Sequence, residues 1–212
     1  MLNAVISRIG RIPIDIYVML MLFALVLGSD VAFGDKAPFM KDILYMYLFL
    51  FLITRTTLQR KSKAYFPLSQ AIFNFAAMFI GTAILMLLLP SQVTALLIQG
   101  SFEGAVIFAA SFGVLYAFIK AYIEEDIFRN RLVTVVGAKG QAVLFGLFHF
   151  FVLFAVFGFS YMLVLPVLML MGLGYIWSRV HDRFGTIGST GSHFAYNAAI
   201  MGILPRLLGS IV

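Results

Sequence analysis

The 212-residue chain has no cysteine, which excludes disulfides, thiolate metal sites and a cysteine nucleophile. Charge is nearly as scarce. Only 11% of residues are Asp, Glu, Lys or Arg, against about 25% in a soluble domain, so an ordinary soluble fold is excluded. Acidic residues number nine, leaving a formal net charge of +6. That excess does not point to nucleic acid, because the basic residues are scattered through short segments between apolar runs. No internal repeat or low-complexity tract is present. The first apolar run follows Arg8 and Arg11 but lacks a small-residue cleavage site, so it reads as a retained helix.

What the chain does have is apolar length, with a mean hydropathy of +1.03. Seven apolar segments are expected, at residues 12–28, 40–54, 68–89, 105–123, 142–159, 162–177 and 187–204. Most approach the ~20 residues that a ~30 Å hydrocarbon core requires. The second is short and carries Lys41 and Asp42. The expectation is an all-α, polytopic transmembrane bundle of about seven spans, forming a single integral membrane domain over residues 1–212. If the N-terminus is cytoplasmic, twelve of the fifteen Lys and Arg fall on the inner side, among them Lys120, Arg129 and Arg131. Only Lys36, Lys41 and Arg206 fall outside, the asymmetry of the positive-inside rule.

Three of the nine acids stand together in the stretch AYIEEDIFRNR, as Glu124, Glu125 and Asp126. Charges at a membrane span are costly and mark function more often than packing. Glu125 and Arg129 are i,i+4 and can pair across a helical turn. Glu124 is rotated about 100° from its neighbour and is left to act as a base. His149 falls ~10 Å into the fifth segment, with Phe145 one turn earlier to wall its ring. Ser189, His193 and Asn197 form an i, i+4, i+8 stripe expected to line a cavity. Gly191, Ala195 and Ala199 form a small-residue stripe beside it, suited to close helix packing. Three segments thus bring polar groups to one depth on one side. His181 and Asp182 read as solvated residues in a loop over 178–185, and Gln70 with Asn74 as an interhelical hydrogen-bonding pair.

A glutamate, two histidines and an asparagine around a water-accessible pocket suit hydrolysis. Glu124 can take a proton from water, a histidine can orient that water or protonate a leaving amine, and Asn197 can donate to an oxyanion. Alternatively, Glu124, His149 and His193 could bind a zinc ion that activates the water. Sequence leaves both mechanisms open. No His-Glu-x-x-His helix is present, and Gly188-Ser189-Thr190-Gly191 places threonine where a rhomboid-type nucleophile would need serine.

Glu124 to Arg129 reads EExxxR, Phe145 to His149 reads FxxxH, and His193 to Asn197 reads HxxxN. In that order the trio resembles the CPBP (Abi) family of intramembrane proteases, which includes the type II CAAX prenyl endopeptidases, or Ras-converting enzymes. Gly172 to Trp177, GLGYIW, is similar to prokaryotic members. The resemblance covers about residues 105–204, the expected catalytic core. It departs from the pattern at Asn130, where many relatives have glycine. The resemblance implies that Glu124 activates water, Glu125 pairs with Arg129, and His149, His193 and Asn197 complete the site. It implies an integral protein of a prokaryotic cell membrane with its site open to the cytoplasmic side. Its partners would be a prenylated or membrane-anchored peptide or protein substrate and the lipid bilayer, with no nucleic acid. It requires no cofactor with certainty, although zinc is possible. Two rivals are a non-catalytic relative, such as a bacteriocin self-immunity factor or membrane scaffold, and a transporter using the same groups as a proton relay.

Overall fold

The computed structural model describes residues 19–21, 39–61, 68–88, 111–158 and 160–200. The described residues are helical, without strands. Helix α1 spans Phe39–Thr57 and α2 spans Leu68–Leu88. Helix α3, Ser111–Glu124, runs directly into a π-helix, Glu125–Leu132, and then α4, Val133–Phe157. A 3₁₀ turn, Tyr161–Leu163, leads into α5, Val164–Ala198. The chain divides into two compact units, residues 1–50 and 51–212, so the boundary falls within α1. Of the expected segments, 12–28 lies outside the described residues except at 19–21, and 105–123 is described from residue 111 onward.

Within the second unit α5 is the hub, packing against α2, α3, α4 and the π-helix. Two of its features differ from the sequence expectation. The loop expected over 178–185 is helical, and the sixth and seventh segments join into one helical run broken only at Gly185. Gly185 has φ +71°, as Gly137 in α4 has +70°. Left-handed backbone of this kind costs any residue with a Cβ, so each glycine makes a one-residue corner where a loop was expected. The basic stretch between the fourth and fifth segments is likewise not a loop. It winds as a π-helix whose residues Glu125 to Arg131 are all buried.

Polarity is distributed inside out. Ile72, Phe73, Ile80, Ile84, Leu87 and Leu88 of α2 are exposed, as are Leu144, Leu147 and Phe151 of α4, while Glu124, Glu125, Asp126, Arg129 and His193 are buried. Two apolar stretches, Ala117–Phe151 and Val164–Ala198, are each long and apolar enough to cross a membrane. The pair expected at Gln70 and Asn74 does not form. Gln70 is exposed, and the Asn74 amide nitrogen has no hydrogen-bond partner.

Candidate active site

The site is built where α3 gives way to the π-helix. In a π-helix the backbone hydrogen bond runs i→i+5 rather than i→i+4, and such windings concentrate at functional sites. The wider turn brings residue i+5 back beside residue i. Asp126 uses this directly: its Oδ2 accepts from Arg131 Nε at 2.7 Å, and its Oδ1 from Asn130 Nδ2 at 2.8 Å. Arg60 Nη2 adds a third contact to Oδ1 at 3.1 Å. Arg131 Nη1 donates onward to the Leu58 carbonyl at 2.9 Å, and the Lys61 amide donates to the Asn130 carbonyl at 2.8 Å. Asp126 thus clamps residues 58–61 onto the π-helix. Sequence reasoning assigns these residues no role, although an acid followed by Asn at i+4 and Arg at i+5 is a visible signal.

Glu124 and Glu125 diverge from this winding, Glu124 facing both histidines and Glu125 facing His193. Its Nδ1 is 2.9 Å from Glu125 Oε1 and its Nε2 is 3.2 Å from Glu124 Oε2. Of these, the Nδ1 contact is a hydrogen bond, and the Nε2 contact to Glu124 is an electrostatic approach. Arg129 Nη1 approaches the same Glu125 oxygen at 3.5 Å, the i,i+4 pair read from the sequence. Its guanidinium carbon lies 3.9 Å from the centre of the Phe145 ring, a cation–π contact. Gly174 leaves room for this: a Cβ there would stand 3.2 Å from both Arg129 Nη2 and Phe145 Cδ1.

His149 enters from α4. Its Nδ1 donates to the Phe145 carbonyl at 2.9 Å, so in the neutral ring Nε2 carries a lone pair. That Nε2 faces Glu124 Oε1 at 3.8 Å. Phe145 walls the pocket as expected, 4.3 Å from the His149 ring and 5.8 Å from the His193 ring. On the other side Trp177 lies flat on His193, with centroids 3.9 Å apart and planes 17° apart. Nothing in the sequence pattern announces this stacking. Asn197, one turn beyond His193, is 4% exposed, and its amide nitrogen has no hydrogen-bond partner.

Other expectations are corrected. Ser189 is buried, and its hydroxyl lies 3.2 Å from the Thr186 carbonyl of its own helix. Ala195 and Ala199 are buried, whereas among the described residues nothing lies within 4 Å of a Cβ placed on Gly191. His181 is not solvated. It is fully buried, with Nε2 3.3 Å from Thr186 Oγ1, because α5 continues through the expected loop. Its neighbour Asp182 pairs with Lys61 at 2.5 Å.

A metal ion fits these groups poorly. Glu124 turns a different oxygen to each histidine, and the ammonium of Lys120 stands 3.8 Å from Oε1. A cation already on that oxygen opposes a dication. Among the described residues no group of three His, Asp or Glu side chains is set to hold a metal. What the arrangement offers is a carboxylate between two imidazoles, backed by a second carboxylate whose charge an arginine balances. Comparison with protein-family models, curated proteins and solved structures found no match to this chain.

Proposed function

We propose that the protein is an intramembrane endopeptidase of the CPBP, CAAX-protease type, cleaving near the C-terminus of a prenylated or membrane-anchored substrate. The observation carrying this reading is the division of labour between the two glutamates. Glu125 shares one oxygen with His193 and Arg129, while Glu124 faces both histidines. A buried acid whose charge is balanced is structural. A buried acid facing two imidazoles can move a proton.

In this reading, water enters beside Glu124 and His149, whose side chain is 12% exposed. Glu124 removes its proton and the oxygen attacks the peptide carbonyl. The free amide of Asn197 donates to the resulting oxyanion. The proton taken up by Glu124 then passes to the leaving amine, giving a carboxylic acid and an amine. The chain would cross a prokaryotic cell membrane about seven times, with its N-terminus and the open side of the site cytoplasmic. The distribution of twelve of fifteen basic residues supports that orientation.

The test is cleavage of a fluorogenic farnesylated C-a-a-X peptide by purified protein in lipid, with and without a zinc chelator. Wild type cleaves, and Glu124→Gln loses at least about 100-fold in rate while unfolding at the same temperature. The chelator leaves the rate unchanged. A folded Glu124→Gln protein of full activity overturns the mechanism.

A further inference from the structure

Lys120 lies one turn before Glu124 on α3. Its Nζ is 3.8 Å from Glu124 Oε1, the same oxygen that faces His149 Nε2 at 3.8 Å. Both separations exceed a direct hydrogen bond, and polar gaps of that length are where a third atom sits. Exposure shows which way the gap opens. The side chains of Lys120 and His149 are 17% and 12% exposed, whereas Glu124, Glu125 and Arg129 are fully buried and His193 is 3% exposed. Among the described residues around Glu124, the part-exposed side chains are those of Lys120 and His149, so the approach to this buried carboxylate lies on their side.

Among the described residues, a carbonyl reaching Glu124 from that side meets His149 and Lys120. Neutral His149 cannot serve its oxygen, because its one N–H is given to the Phe145 carbonyl. The ammonium of Lys120 has three donors and a full positive charge on that side. An i,i+4 Lys–Glu pair serving only stability has no need of a gap, and such pairs contribute little.

We propose that Lys120 is a catalytic residue whose ammonium, together with the Asn197 amide, donates to the scissile carbonyl oxygen and holds its negative charge as water adds. The proposal rests on the hydrolytic reading of the site. As the water oxygen bonds to carbon, its proton goes to Glu124 and the carbonyl π pair moves onto the oxygen facing Lys120. On collapse that pair reforms the carbonyl, the C–N bond breaks, and the amine takes the proton from Glu124. Lys120 keeps its protons throughout.

The experiment compares wild type, Lys120→Met, Lys120→Arg and Glu124→Gln in lipid nanodiscs. It measures kcat and KM for the farnesylated peptide, and binding of a peptidyl phosphinate that mimics the tetrahedral oxyanion. For Lys120→Met, kcat and phosphinate affinity each fall about 100-fold while KM stays within about twofold. Lys120→Arg, which keeps the charge, recovers at least about a tenth of the lost rate. Unfolding temperatures read in parallel identify a misfolded variant, and Lys120→Arg then carries the comparison. Unchanged kcat in folded Lys120→Met, or equal losses in phosphinate and ground-state peptide binding, overturns the role of Lys120 alone. A wild type that neither cleaves nor prefers the phosphinate overturns the hydrolytic reading, and this proposal with it.

Discussion

Trp177 lies face to face with His193, ring centroids 3.9 Å apart and planes 17° apart. The imidazole must keep Nδ1 on Glu125 and Nε2 on Glu124, which allows it one plane only. The indole fixes that plane. Phe145 meets both rings edge-on, at 5.8 Å from each, so the three aromatic systems restrain one another.

Substituting Trp177 should therefore reach chemistry through orientation. Trp177→Phe keeps a stacking surface and is expected to retain most activity. Trp177→Leu keeps volume but not the flat face, and is expected to lower kcat about tenfold with KM nearly unchanged. Steady-state kinetics on folded protein checks this, and equal activity in the two variants contradicts it.

Removing Arg129 strands Glu125. Arg129→Ala is expected to destabilise the protein by about 3–5 kcal/mol, because an uncompensated charge is left fully buried. Adding Glu125→Gln to Arg129→Ala should recover part of that loss. The readout is thermal unfolding in detergent, scored as a double-mutant cycle.

Asp126 should matter more than its distance from chemistry suggests. Asp126→Ala leaves buried Arg131 without its 2.7 Å acceptor and releases Arg60 and Asn130. Arg60→Ala removes only one partner, whose side chain is 27% exposed, and should cost much less. Limited proteolysis is the check. Cleavage within residues 58–61 should rise sharply in Asp126→Ala and little in Arg60→Ala.

Two nearby glycines should respond in opposite directions to alanine. Gly172 lies within a helix and has open space where a Cβ would stand, so Gly172→Ala should stabilise by about 0.5–1 kcal/mol. Gly174→Ala pushes a methyl against Arg129, Phe145 and the α4 backbone at Ala142. It should destabilise by about 1–3 kcal/mol and lower activity. Unfolding temperatures of the pair test both signs.

The candidate site is largely legible in the sequence because its motifs are helical i,i+4 pairs. Glu125 with Arg129, and Phe145 with His149, meet on any regular helix, whatever the rest of the chain does. The convergence of Glu124 with His193, 69 residues later, depends on counting turns, and it holds. What escapes is whatever runs against hydropathy. Arg179, His181, Asp182 and Arg183 lower the apolar signal enough to imitate a loop, yet α5 continues through them and buries His181. Arg129 and Arg131 read as loop cations for the same reason, and they are buried. The π-winding has no apolar period to announce it; only the Asp126–Arg131 spacing does. Lys120 reads as one more inner cation because a charge tally does not see which oxygen a side chain faces.

The π-helix also makes chain length a variable of the site. Glu124 precedes the winding and His149 follows it, so the number of residues between them sets the rotational phase at which the second half of the site meets the first. Losing one residue between Asp126 and Arg131 would change the winding and with it the rotational phase of all that follows. Asp126 would lose Arg131, and His149 would no longer face Glu124. Substitutions at half-buried Leu132 leave that phase alone. This segment should therefore accept many changes of side chain and no change of length.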